Sequence, residues 1–391
     1  MPRSTTHRTE VAFDVAVIGG GIVGVAAAAH LAERGRRVVL FEAAAIAAGA
    51  SGRNSGVVQH PFDPILVESH LETLELYRAL GERAIAGFRL PPAPVGLLSV
   101  TSDVEGAERM ATALALRHPS LDPTFLGPDA ARRLEPSLAP GVAACRLDIG
   151  YPVAPAAATH AYAGWAAQLG VEARVGSGPA RPWVVRDHVR GVRFDDGSTI
   201  VAHDVVVAAG PWSPAVIDPA GRWRPIRPVW GVVLEIDLPE PPRHVLEEAD
   251  IAIEPGDHGA DPVDDDVAFS LVTAGGASSL GSTFLEREPD PRTLLPPLVA
   301  RGARFVPGIA GAAAGAHRLC ARPQSRDGRP LVGSVPGVDG LWIAAGHGPW
   351  GISTGPASGR LIADLVSGRV AAPPAALDPA RFGDPRAASP G

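Results

Sequence analysis

FDVAVIGGGIVGVAAAAHLAERGRRVVLFE, residues 13–42, is the stretch on which the reading of this chain turns. An apolar run over 13–18 ends in three glycines, a helical pattern follows without a break, and a second apolar run over 38–41 ends in Glu42. Strand, glycine turn, helix, strand and acid in that register are the dinucleotide-binding fingerprint in its proper context. Gly19 allows a tight turn off the strand, where a side chain would clash. Gly21 lets backbone approach a pyrophosphate, and Gly24 lets the helix lie close on the strand. The helix opening at Ile22 and Val23 aims backbone N–H groups and a positive dipole end at the phosphates. Glu42, placed to accept hydrogen bonds from ribose hydroxyls, disfavours a 2′-phosphate and so argues against NADP at this site. Residues 15–32 carry no Asp, Glu, Lys or Arg. The stretch is shorter than the roughly 20 apolar residues of a membrane span, and its four glycines and His30 fit a buried βα unit instead.

The 391 residues suffice for two domains, and 46% apolar content is ordinary for a globular chain. A net charge of −7 argues against nucleic-acid binding as the main activity. All 35 basic residues are arginine. Without lysine, neither a Schiff base nor a lysine general base can form. Cys145 and Cys320 cannot build a metal cage by themselves, and no metal site is expected. The first ten residues lack an apolar core, so no secretory signal is visible and a cytoplasmic location is expected. The acidic stretch 257–266 is interrupted by Gly and Pro and reads as a solvated loop rather than a cation site.

Further along, the small, Gly-rich segment 43–58 suits close backbone approach to a ligand. Residues 66–80 have helical apolar spacing, 95–100 read as a strand, and 151–170 read as a helix ended by Gly170. Two strands around Val184 and Val192 are expected, with Asp196-Gly197 as the hinge. Residues 204–209, DVVVAA, form a continuous apolar run of the buried parallel-strand kind. From 224 to 316, short strands such as 232–236 and 267–272 between Pro- and Gly-rich loops point to an antiparallel sheet. Doubly wound character returns at 341–345. A Gly-rich turn over 346–351 and a helical pattern over 358–365 follow, again aiming N–H groups at a ligand. The segment 371–391, rich in Ala and Pro, reads as a loosely ordered tail.

From residue 14 to about 368 the chain resembles the FAD-dependent amine and amino-acid oxidoreductases that include D-amino acid oxidase, glycine oxidase and sarcosine oxidase. The resemblance is carried by VIGGGIVGVAAAAHLAERG, by ASGRNSG at 50–56, by DVVVAAGPWSP at 204–214 and by LGSTFLE at 280–286. CARPQSRDGRPLVG at 320–333 and GLWIAAGHGPWGISTGPASGRLIADLVSG at 340–368 complete it and are the more specific motifs. It implies an α/β FAD-binding Rossmann-like domain of the glutathione-reductase type, plus an α+β substrate domain with a mainly antiparallel sheet. The FAD-binding domain would comprise 1–86, 151–223 and 317–370, and the substrate or cap domain 87–150 and 224–316.

The resemblance also implies FAD rather than NAD. Ser51, Gly52, Arg53, Asn54, Ser55 and Gly56 would run beside the pyrophosphate and flavin. Val184 and Val185 would touch the adenine side by backbone, and Ala209, Gly210 and Trp212 would close the adenosine region. Gly346, His347, Gly348, Trp350, Gly351 and Ile352 would sit by the flavin pyrimidine, where the following helix dipole favours the anion of a reduced flavin. Arg322 matches the position whose guanidinium pairs with a substrate carboxylate, a task suited to its planar fork. Arg53 is a second candidate, and Arg326 is read as structural. His347 is a candidate for tuning the flavin or accepting a proton, with an ordinary hydrogen-bonded role as the alternative.

The implied reaction moves a hydride from a substrate Cα to flavin N5 and leaves an imine for water to hydrolyse, with positioning rather than a strong base as the main contribution. The expected partners are a small amine or amino-acid substrate and an acceptor that is O2, a quinone or another oxidant. Cys320 stands where sarcosine oxidases carry a flavin-linked cysteine and glycine oxidases usually carry glycine, so a covalent link stays open. The chain lacks the lysine that sarcosine oxidases place near the flavin, and Trp350 stands at one such position. Weaker use of O2 follows. Residues 224–316 contain no Tyr, so Trp230, Phe269 and Phe284 are the aromatic candidates for an apolar pocket, with core packing as the alternative for each. The alternatives to a stand-alone enzyme are the flavoprotein subunit of a heteromeric sarcosine oxidase-like or amino-acid dehydrogenase complex, a homo-oligomer, and a 2-hydroxy acid oxidoreductase on the same fold.

Overall fold

A computed structural model of the chain describes residues 13–249 and 267–386. The acidic stretch 257–266 lies outside the described residues. Two compact units are present: Met1–Ala48, Thr159–Arg227 and Pro323–Gly391 form one, Gly49–Ala158 and Pro228–Arg322 the other. Among the described residues no helix is long and apolar enough to cross a membrane.

The first unit is built on a mainly parallel sheet. Its strands run in the order Leu331–Ser334, Leu341–Ala345, Thr199–Val207, Phe13–Ile18, Val38–Glu42 and Glu172–Val175. Every neighbouring pair is parallel except the first. The central strands are apolar at successive positions because both faces are covered; Val205, Val206 and Val207 are all buried. The helices Ile22–Glu33 and Gly351–Val366 pack on each other through small residues. A Cβ at Gly359 would stand 2.7 Å from Ala26 Cβ, and one at Gly355 would stand 3.1 Å from both Ile22 and Val23. Since Gly355 meets Ile22 and Gly359 meets Ala26, the two helices run in the same direction.

Three expectations change here. Asp196-Gly197 joins His188–Phe194 to Thr199–Val207, whereas the turn after Ala180–Val185 is at Arg186, φ +60. The helix expected over 151–170 is Ala157–Gln168. Tyr151–Pro152 is instead a short strand, and Ala156 at φ +67 breaks the backbone before the helix. The segment expected as a loose tail is ordered as far as residue 386. Leu377 is buried and its carbonyl accepts from Val332 N–H at 2.8 Å, while Arg381 pairs with Asp327 at 2.7 Å.

The second unit carries an eight-stranded sheet in the order Ala313–Ser325, Ile226–Asp237, Ala277–Gly281, Ser270–Ala274, Val245–Glu248, Leu97–Thr101, Ala143–Leu147 and Thr124–Leu126. From Ile226–Asp237 onward its pairings are antiparallel apart from Val245–Glu248 with Leu97–Thr101, which is parallel. One face bears Leu98, Leu234, Leu246, Leu271 and Leu280 in a core with the helix Pro291–Phe305. The helix expected at 66–80 is Pro64–Glu82, with Pro64 in its first turn and the Asp63 carboxylate accepting from Ile65 N–H at 2.8 Å.

The division differs from the expected one at residues 49–86, 151–158 and 317–322, which belong to the second unit, and at 224–227, which belong to the first. The reason is local pairing: Val57–Val58 lies on Tyr151–Pro152, Gln59 bonds Glu247, and Arg318 donates to the Asn54 carbonyl.

Candidate active site

In the first unit the parallel strands all end at one edge of the sheet, so the loops after Ile18, Glu42, Val175, Val207 and Ala345 gather there. This is where open α/β sheets bind ligands. Gly19 at φ +118 turns off its strand so close to the neighbouring one that a Cβ would lie 2.4 Å from the Ala208 carbonyl oxygen. A Cβ at Gly24 would lie 2.0 Å from the Gly19 carbonyl oxygen. No side chain caps the helix that follows Gly21. The loop is therefore bare backbone around a helix N-terminus, a surface that fits a pyrophosphate.

The Glu42 carboxylate accepts from Gly20 N–H at 2.7 Å and from Ala44 N–H at 2.9 Å. These bonds fix it beside the glycine turn and leave lone pairs on both oxygens for ribose hydroxyls. Its carbonyl accepts from Gly176 N–H at 2.9 Å and from Ser177 Oγ at 3.4 Å. The loop beginning at Gly176 thus lies against the acid. Val184 and Val185 do not. They are exposed at the far end of Ala180–Val185, about 15 Å along the strand from its start. Sequence reasoning missed Ser177; a glycine-rich loop straight after a strand, GSG, was the available signal. Ala209 and Gly210 lead into a short 3-10 turn, Gly210–Trp212, in which Trp212 is exposed.

The turn after Ala345 is built on His347. The imidazole is buried and its Nε2 lies 2.9 Å from Ser358 Oγ, on the helix Gly351–Val366. Burial pushes its pKa down to about 4. His347 is accordingly a neutral imidazole that ties the turn Gly346, Gly348 and Trp350 to its helix. That helix has no side-chain cap, and Gly351 and Ile352 open it.

In the second unit, Ser51, Gly52 and Arg53 belong to a four-residue helix, Ala50–Arg53. The Asn54 amide closes it by donating to the Ala50 and Ser51 carbonyls, and Asn54 Oδ1 accepts from Gly56 N–H at 2.8 Å. Gly56 sits at φ +86, where a Cβ would lie 2.7 Å from the Val153 carbonyl oxygen. Arg53 is exposed and donates to the Leu319 carbonyl at 3.1 Å. Cys320 is a buried free thiol.

Arg322 is the chemically unusual group of this unit. Nη1 donates to the Thr283 carbonyl at 2.6 Å, Nη2 donates to Ser282 Oγ at 2.7 Å, and Phe284 lies under the guanidinium, 4.4 Å from Cζ to the ring centroid. Gly231 makes room for it: a Cβ there would stand 2.5 Å from Cζ. Loss of water lowers its pKa, although an arginine keeps its proton in a protein. Among the described residues no carboxylate pairs with it. A desolvated cation without a carboxylate partner is costly, and a bound anion would offset that cost. Phe284 thus belongs to this site, whereas Phe269 is a core residue stacked on Phe305 at 4.9 Å. Ser282 and Thr283 were not singled out from sequence, because serine and threonine just past a strand carry no signal of an arginine's placement.

Residues 14–365 match the family model described as FAD dependent oxidoreductase. The glycine oxidase of Geobacillus kaustophilus is 29% identical over 377 residues, covering 92% of this chain and 93% of that protein. A D-amino acid dehydrogenase of Cereibacter sphaeroides is 31% identical over 215 residues, 54% of this chain and 46% of that protein. The crystal structure of the Geobacillus kaustophilus glycine oxidase superposes with a TM-score of 0.74 at 26% identity, covering 95% of this chain and 97% of that one.

Proposed function

This chain belongs to the family of FAD-dependent oxidoreductases, and we propose that it oxidises the C–N bond of a small amino acid held through its carboxylate. FAD supplies the hydride acceptor. The observation that carries the reading is Arg322, a desolvated guanidinium whose partners are a carbonyl, a hydroxyl and an aromatic ring. With its other donors it takes a carboxylate, each charge-assisted bond contributing about 1.5–3 kcal/mol. A clamped carboxylate fixes Cα, and fixing the reacting carbon is where an enzyme without a strong base gains its rate.

In this reading Gly19, Gly21, Gly24 and Glu42 hold the ADP half of the cofactor. Neutral His347 positions the turn whose following helix favours negative charge at the flavin, and it adds no positive charge of its own. The α-amine must be neutral to release a hydride from Cα, and the imine then hydrolyses in water.

A 2-hydroxy acid offers the same carboxylate, so the decisive experiment compares panels. Holoprotein mixed anaerobically with amino acids is expected to bleach in the flavin band, and with 2-hydroxy acids to stay oxidised. Bleaching by hydroxy acids alone overturns the reading. The absence of lysine supports a slow reaction with O2 and an acceptor such as a quinone. Stopped-flow mixing of reduced protein with air-saturated buffer is expected to show reoxidation slower than turnover with an artificial quinone, and the reverse order contradicts it.

A further inference from the structure

The sheet face opposite the leucine-rich core of the second unit changes character along its strands. Around Leu97, Val245 and Val272 it is apolar, and these pack in a cluster with Leu147. Beyond them register places Ser99 beside Glu247, Glu247 opposite Ser270, Ser270 opposite Gly281 and Gly281 opposite Val233. Residues directly opposite share a face, and so do residues two apart. Gly231, two residues before Val233, is therefore on this same face, and it is the glycine over which the Arg322 guanidinium lies.

Glu247 is 8% exposed, and its carboxylate accepts from Gln59 Nε2 at 2.9 Å. Among the described residues it has no cationic partner. Ser270 Oγ is buried, 4% exposed as a residue, without a hydrogen-bond partner. It lies 3.0 Å from where a Cβ on Gly281 would stand, and Ser55 Oγ lies 3.8 Å from the same point. Buried polar groups are ordinarily satisfied. A carboxyl with one amide donor beside an unpartnered hydroxyl is a site that lacks its ligand.

We propose that Glu247, with Gln59 and Ser270, takes the cationic end of an amino acid whose side chain terminates in an ammonium or guanidinium. The proposal rests on the reading of Arg322 as the carboxylate anchor. Ser282 and Thr283, which hold Arg322, come directly after Gly281, the last residue of its strand. Two strand spacings, about 10 Å, and at most two residues of extended chain past the strand end, about 7 Å, separate them from Glu247. A lysine- or arginine-length molecule with a hydrogen bond of about 2.8 Å at each end covers that separation once the Glu247 side chain reaches inward. The two ends are complementary in charge. Burial raises the Glu247 carboxyl to about 7, so it ionises to meet a cation and takes up a proton when a small neutral side chain leaves the subsite empty.

The test uses holoprotein and two ligands that carry no α-amine, hexanoate and 6-aminohexanoate, titrated by flavin difference spectra and by competition against glycine. The expected result is at least tenfold tighter binding of 6-aminohexanoate, with the preference lost in Glu247→Gln and reduced in Ser270→Ala. Proton release on binding, read by calorimetry in two buffers of different ionisation enthalpy, is expected for 6-aminohexanoate alone. Equal binding of the two ligands by the wild type, or a preference that survives in Glu247→Gln, overturns the subsite. The wild-type comparison needs no variant to fold. If hexanoate binding is instead unaffected by Arg322→Ala, the carboxylate anchor itself fails, an outcome distinct from loss of the cation preference alone.

Discussion

The two units solve the problem of holding a ligand with opposite materials. In the first, the work falls to backbone: Gly19, Gly21 and Gly24 contribute the absence of side chains, and the helix that follows them lacks a side-chain cap. Its important carboxylate, Glu42, is fixed by backbone N–H groups. In the second, the work falls to charged side chains on a sheet face, Arg322 resting over Gly231 and Glu247 held by Gln59. A backbone site tolerates no added bulk, whereas a side-chain site tolerates bulk but not a change of charge or fork geometry. That difference predicts how each unit breaks.

The largest effect is expected at Gly24. A side chain there meets the Gly19 carbonyl oxygen at 2.0 Å, so Gly24→Val is expected to purify without flavin. A variant with a normal ratio of flavin to protein absorbance would count against the close βα packing.

Next is Arg322. Replacing it by Leu removes two charge-assisted bonds to a carboxylate, about 3–5 kcal/mol, or roughly a thousandfold in kcat/KM, with flavin content retained. Arg322→Lys is expected to recover only part, because an ammonium cannot reproduce the fork. Loss of flavin together with activity would show that Arg322 is a structural residue.

The smallest effect concerns pH. His347 is neutral in the fold, its pKa lowered to about 4 from an ordinary 6.5. Between those values the unfolded chain binds a proton that the folded chain does not, so stability falls as pH drops from about 6.5 toward 4, by about 3 kcal/mol at the limit. Urea unfolding of the wild type and of His347→Asn should show the wild type losing its advantage over that window. Parallel curves would place the imidazole in a more solvated setting.

The same contrast accounts for what could be read from sequence. Glycines at fixed spacing after an apolar run serve little purpose except a tight turn that brings backbone to a ligand, so the first βαβ unit, the acid after it and the turn at 346–351 were legible from residue order alone. The pair Gly355 and Gly359 was also present in the sequence, although its meaning, close packing on Ile22 and Ala26, needed the structure. The side-chain site was legible only at Arg322, and there through resemblance. Glu247 carries no mark in the sequence, because its position opposite Ser270 follows from cross-strand register, which local pattern does not fix. The turn after Val185 was illegible for a related reason: it is at Arg186, a residue with no sequence mark of a positive φ.

The central claim, that Arg322 holds the carboxylate of the molecule being oxidised, is tested most directly by pairing each substrate with its decarboxylated amine. Wild-type holoprotein mixed anaerobically with an amino acid is expected to bleach rapidly, the matching amine at least a hundredfold more slowly, and Arg322→Leu slowly and equally with both. If the wild type oxidises the amine as fast as the amino acid, and Arg322→Leu oxidises both as fast as the wild type does, the guanidinium does not recognise the substrate and the account is contradicted.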